Sequence, residues 1–171
     1  MNQVLAFYSI YKIIINEVSR YNHCTLKALG SHTASDRTSK SAGDIEIFNK
    51  HELFEAIEIK LDKPIDANIV RIAKEKIIKY NPKRYYILSY YEVKIEDEEE
   101  INKIIQEAKE EHGCQIIVNG IMATLKYYMR LISDLEVFYT IYSELINNDT
   151  ELKAIHKQKW NELTLGLNHE L

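Results

Sequence analysis

Asp44, Glu58 and Lys60 are the residues of this chain whose types and spacing best suit chemistry. They lie in two short segments, Gly43-Asp44-Ile45-Glu46-Ile47-Phe48 and Phe54-Glu55-Ala56-Ile57-Glu58-Ile59-Lys60-Leu61. Period-two alternation on both sides of a short polar break predicts a β-hairpin with one apolar face. Ile45, Ile47, Ile57, Ile59 and Leu61 fall on that face, and Asp44, Glu46, Glu58 and Lys60 on the other. A three-residue loop, Lys50-His51-Glu52, sets Asn49 opposite Leu53 and carries the ladder back to Asp44 opposite Glu58. Directly opposed residues have Cβ atoms roughly 4.5–5.5 Å apart, and like charges so placed repel. Two carboxylates at that separation need a cation between them, and Lys60 lies two residues on along the same face. Such a trio points to a divalent metal ion and a phosphodiester.

A lone Glu-x-Lys is a weak signal, because many solvent-facing hairpins carry acids and lysines. The predicted opposition of like charges raises it above that background, and so do the elements around it. Val4, Phe7, Tyr8, Tyr11, Ile14, Ile15 and Val18 follow helical spacing and predict a first helix ending near Tyr21-Asn22. Residues 24–29 read as a short strand or the tail of that region. Residues 30–43 carry the chain's one strong loop signal, rich in Ser and Thr. After the hairpin, Pro64 interrupts, Asp66 is placed as an N-cap, and a second helix runs to about Tyr80, where Asn81-Pro82 stops it. Tyr85 to Val93 reads as a strand. A third helix opens on the acids 96–100 and stops at His112-Gly113. Residues 114–119 read as a buried strand. The spacing of Met122, Leu125, Met129, Ile132, Tyr139, Tyr142 and Ile146 predicts one long fourth helix, and residues 150–163 a last, more polar one. A hairpin joined through helices to further strands makes an α/β (α+β) mixed β-sheet flanked by helices, with a parallel crossover through the second helix and a helical C-terminal part.

The arrangement Asp44 … Glu58-Ile59-Lys60 resembles the PD-(D/E)xK nuclease superfamily, to which most type II restriction endonucleases belong. Its signature is an acid at the end of one strand and Glu or Asp, a spacer and Lys on the next. The usual proline before the first acid is absent, and Gly43 stands there. Residues 31–36, 42–46, Lys63-Pro64-Ile65 and Arg84-Tyr85-Tyr86-Ile87-Leu88 look like restriction endonucleases of the SacI type. The resemblance implies a restriction-endonuclease-like fold and cleavage of double-stranded DNA. It implies Asp44 and Glu58 as ligands of Mg²⁺, for which Mn²⁺ substitutes, and the backbone carbonyl of Ile59 as a third. Lys60 would orient or deprotonate the attacking water, or meet the charge of the transition state. First helices of the superfamily often place an acid near the metal, which makes Glu17 a second candidate, although an ordinary exposed glutamate is the commoner case at such a position. Glu46 shares the face of Glu58 and is an additional candidate ligand for a second ion. Enzymes of this class usually act as symmetric homodimers on palindromic sites in the prokaryotic cytoplasm. A resolvase or repair nuclease of the same fold, or a DNA-binding or regulatory module that keeps the fold without cutting, are the alternatives.

Bulk properties bound the reading. The 171 residues suit one domain, with a core over about 1–120 and a helical extension over about 121–171. A hydrophobic content of 46% and a charged content of 28% are ordinary for a globular chain. Cys24 and Cys114 form no metal-ligand or redox pattern and read as free thiols in a reducing compartment. The first fifteen residues lack the basic start and small-residue cleavage site of a signal peptide, and no apolar run reaches the roughly 18–20 residues of a membrane span. A net charge of −4 argues against a general nucleic-acid coat protein. The charge is unevenly spread: Lys60 to Arg84 holds eight Lys or Arg against three acids. Such a local basic surface suits binding along one cleft, and composition alone fits solvated helix faces equally well. Ser31, His32, Arg37, Ser39, Lys40 and Lys63 are the expected DNA contacts, through phosphates rather than bases. Each of these loop groups is about as readily a plain surface residue.

Overall fold

The alternation of residues 45–47 and 57–59 builds the centre of a five-stranded sheet in the computed structural model, which describes residues 2–30 and 41–167. In chain order the strands are β1 (Cys24–Leu26), β2 (Ile45–Asn49), β3 (Glu52–Lys60), β4 (Arg84–Ser89) and β5 (Gln115–Gly120). The helices are α1 (Gln3–Glu17), α2 (Ala67–Tyr80), α3 (Glu98–His112), α4 (Ile121–Met129), α5 (Leu135–Asn148) and α6 (Ala154–Leu167). The sheet order is β1-β2-β3-β4-β5. The first two pairings are antiparallel and the last two parallel, so the sheet is mixed and the fold is α+β. Each parallel step is made through a helix, α2 and then α3, as parallel neighbours require.

Two apolar layers cover the sheet. Ile45, Ile47, Ile57, Ile59, Tyr86 and Leu88 pack against α1, α4 and α5. Leu53, Ala56, Tyr85, Ile87 and Ile116 pack against α2 and α3. Fully burying one such side chain contributes about 1.5–3 kcal/mol, so both faces hold the sheet firmly. The helices after residue 120 are not an appendage: Leu125, Tyr128, Phe138, Tyr142 and Ile146 share one core with α1. Among the described residues no helix is long and apolar enough to cross a membrane.

Local signals act where the sequence places them. Asp66 accepts from the backbone N–H of Ile69 at 2.9 Å and caps α2. Asn81 ends that helix in the left-handed region, with φ 52°. Gly113 ends α3 at φ 69°, a conformation that costs a glycine nothing.

Several expectations need correction. The hairpin loop has two residues, Lys50-His51, with Asn49 opposite Glu52 and Lys50 at φ 56°. Phe54 is then an extra residue in β3, a bulge that shifts the ladder back so that Ile47 faces Glu55 and Ile45 faces Ile57. The two departures cancel, so the register at the Asp44–Glu58 end is the expected one. β4 stops at Ser89, whose hydroxyl donates to the Lys63 carbonyl and accepts from the Tyr91 N–H, turning the chain away. The long fourth helix is two: Asp134 accepts from the Glu136 N–H and starts α5 afresh after a break at residues 130–134. The short first strand ends at Leu26, Leu61 lies exposed past the end of β3, and the last helix begins at Ala154.

Candidate functional site

The site lies where β2 and β3 part. Asp44 immediately precedes β2, and Glu58 and Lys60 end β3 on the face covered by α2. This is the carboxyl end of the parallel strands, where open α/β sheets place ligands. The ladder pairs end at Ile45 and Ile57. Beyond them the Asp44 N–H donates to the Ile57 carbonyl at 2.8 Å, and Asp44 Oδ2 accepts from the Ile59 N–H at 2.7 Å. The first acid is thus fastened to the backbone that carries the second acid and the lysine.

Gly43 makes that approach possible. A Cβ at this position would lie 2.6 Å from the Ile57 carbonyl oxygen, closer than real side chains come. No side chain, a proline's included, fits between residue 43 and β3 without a shift.

Glu58 is 5% exposed and holds two ammonium groups. Lys60 Nζ donates to Oε1 at 2.6 Å, and Lys76 Nζ, from α2, donates to Oε2 at 2.9 Å. The Tyr85 hydroxyl donates to the Ala42 carbonyl at 2.6 Å and lies 3.3 Å from Glu58 Oε2. Burial, and after it the charge of Glu58, push the Asp44 carboxyl up to about 6; the Ile59 N–H and the two lysines offset part of the rise. Both causes disfavour a charged Asp44 beside a charged Glu58. A cleft of about 30 Å³, lined by Glu58, Lys60, Lys63, Ala73, Lys76 and Tyr85 among others, opens beside the group. It has room for water, and three of its lining residues are lysines.

The donor set suits a hard divalent ion. Mg²⁺ commonly takes one or two protein carboxylates and fills its other positions with water or phosphate oxygens. Asp44 Oδ1 has no hydrogen-bond partner among the described residues. In a strand the N–H and C=O of one residue point to the same side. The Ile59 N–H reaches Asp44, so the Ile59 carbonyl opens on the same gap. Among the described residues no group of three or more His, Cys, Asp or Glu side chains converges.

The other sequence candidates are placed differently. Glu17 belongs elsewhere: its carboxylate accepts from the N–H and hydroxyl of Ser133 at 3.0 and 2.5 Å, pinning the break between α4 and α5. It lies with α1, across the sheet from Glu58. Glu46 shares the face of Glu58, but its oxygens accept from the Ala42 N–H at 2.7 Å and from Lys27. It braces the strand entering the site. Lys63 lines the cleft. Ser31, His32, Arg37, Ser39 and Lys40 lie outside the described residues.

Lys76 and Tyr85 were not picked out from sequence. Lys76 follows Ile69 by seven residues and Ala73 by three, which sets a lysine in the inward stripe of α2. A charge at that position was the available signal. Tyr85 carried none, because a polar tip on a buried strand residue reads as packing. No protein-family model matches the chain, and no curated protein matches it in sequence.

Proposed function

We propose that this chain is a metal-dependent endonuclease that hydrolyses phosphodiester bonds of double-stranded DNA, of the type II restriction class within the PD-(D/E)xK superfamily. The observation that carries the reading is the fastening of Asp44 to the Ile59 N–H at 2.7 Å, which sets both acids and Lys60 around one gap. The order of elements supports it. A helix precedes three antiparallel strands, the third bears Glu58 and Lys60, and a helix then leads to a parallel fourth. The steric need for Gly43 adds to this, since it keeps the first acid against the strand of the second.

In this reading Asp44, Glu58 and the Ile59 carbonyl would hold Mg²⁺ or Mn²⁺. The ion, when bound, supplies charge against the phosphate and acidifies a water. Lys60 holds the nucleophilic water in line, or meets charge on the phosphorus oxygens as it grows. Lys63 and Lys76 offer cationic contacts to the flanking phosphate backbone. A homodimer on palindromic DNA, working in a prokaryotic cytoplasm, completes the proposal.

The test is digestion of DNA of mixed sequence with Mg²⁺ and with EDTA, followed by sequencing of the ends. The expected result is metal-dependent cutting with ends that share a sequence. Structure-dependent cuts without a shared sequence would favour a resolvase or repair nuclease. Binding without any nick, in Mg²⁺ and in Mn²⁺, would overturn the enzymatic reading in favour of a non-cleaving module.

A further inference from the structure

Asp44, Glu58, Lys60 and Lys76 bring two acids and two ammonium groups together. Lys60 and Lys76 are only 13% and 14% exposed, and they hold opposite oxygens of one buried carboxylate. The charge on Glu58 is therefore already met within the protein. A divalent ion entering beside Glu58 meets two positive neighbours as well as two negative ones.

The two lysines are not equivalent. Lys60 belongs to β3, two residues from Glu58, where the paired strand fixes its backbone. Lys76 reaches across from α2, and Glu58 is its ion-pair partner among the described residues. Its four-carbon stem lies along the cleft that Lys63 also lines, so its head can turn into cleft water without moving the helix. We propose that Lys76 is a resident counter-ion of Glu58 which an arriving divalent ion must displace, so that α2 sets how tightly the site takes metal. This rests on the metal-site reading above and adds a positioning residue to it. Lys76 holds Glu58 in place before the ion arrives, and competes with the ion for the same oxygen. On displacement its ammonium moves toward the cleft, where a phosphate oxygen is the next available anion.

The experiment is a Mn²⁺ titration of the purified chain without DNA, read by calorimetry or by loss of the free-ion electron paramagnetic resonance signal. Wild type, Lys76→Gln and Lys76→Arg are compared, each checked for folding by a melting curve in EDTA. Lys76→Gln removes the competing charge and is expected to bind Mn²⁺ roughly tenfold more tightly. Lys76→Arg keeps the charge and is expected to bind at wild-type strength. If Lys76→Gln does not fold, Lys76→Met, which keeps an unbranched stem, replaces it. Unchanged or weaker binding in the neutral variant, with normal binding by wild type, removes the counter-ion proposal and leaves the metal site standing. Absence of binding in every variant and in wild type removes both.

Discussion

β3 carries two buried carboxylates three residues apart, and the strand sends them to opposite faces of the sheet. Glu55 is fully buried against α1 and is enclosed by phenols. Tyr11 and Tyr21 donate to its Oε1 at 2.6 and 3.1 Å, and Arg20 donates to Oε2 at 3.1 Å. The Tyr128 hydroxyl lies 3.3 Å from that of Tyr11, closing the shell. Glu58 is nearly as buried, but its donors are two lysines, a second acid stands beside it, and a cleft opens next to it. Burial alone thus does not separate an acid held by the fold from the one proposed to act. The difference lies in the donors. Fixed phenols and a guanidinium satisfy Glu55 permanently, whereas ammonium groups on long stems answer the charge of Glu58 and can move. From Glu55 onward β3 alternates without interruption, so an odd spacing alone sends the two acids into different environments.

The comparison can be broken most sharply at the cleft. Asp44→Ala or Lys60→Ala is expected to lower DNA cleavage by about 10³-fold or more while the protein still folds. Full activity in either variant would remove that residue from the site. Glu55→Ala is the matching cut on the other face. It leaves Arg20 and two phenols without their acceptor and is expected to cost about 3 kcal/mol, seen as a lowered denaturation midpoint. A midpoint within experimental error of wild type would show that the network contributes little.

Smaller effects sharpen the contrast. Gly43→Ala forces a methyl group against the Ile57 carbonyl and is expected to cost about 1–3 kcal/mol. It should also weaken metal binding, because Asp44 is pushed off Ile59. The smallest effect has the opposite sign. The Asp44 carboxyl titrates near 6 in the folded chain, above its ordinary value of 3.8, so the native state holds a proton that the unfolded chain has released. Stability contributed by this group therefore falls as pH rises from about 4 to about 6, and the cost stays constant above that. Asp44→Asn keeps an acceptor for the Ile59 N–H and removes the charge. In EDTA at pH 7.5 it is expected to stabilise by roughly 1–2 kcal/mol, and near pH 4 to change nothing. Equal stabilisation at both pH values would contradict this origin.

Much of this frame could be read from the chain. Alternation at residues 45–47 and 57–59 fixes the two hairpin faces, and Asp66, Asn81-Pro82 and Gly113 fix helix ends, because those signals are local. The bulge could not be read: Lys50 adopts φ 56° without being glycine, and a two-residue turn plus one extra residue mimics a three-residue loop. The break between α4 and α5 was hidden by apolar spacing that continues in phase across it, although Ser133-Asp134 is a legible helix start. Within the site, the strand residues were legible and the helix residue was not. Asp44, Glu58 and Lys60 follow from one ladder, whereas Lys76 depends on how α2 packs. The Glu55 network joins residues 34 and 44 positions apart, beyond any local pattern.

Glu58, and not its buried neighbour Glu55, is the acid of β3 proposed to act on DNA. The most direct measurement is the rate of Mg²⁺-dependent plasmid nicking by Glu58→Gln and Glu55→Gln, each normalised to its folded fraction. Glu58→Gln is expected to lose about 10³-fold in rate while Glu55→Gln cuts at close to the wild-type rate. Wild-type cutting by Glu58→Gln, or an equal loss in folded Glu55→Gln, would contradict it.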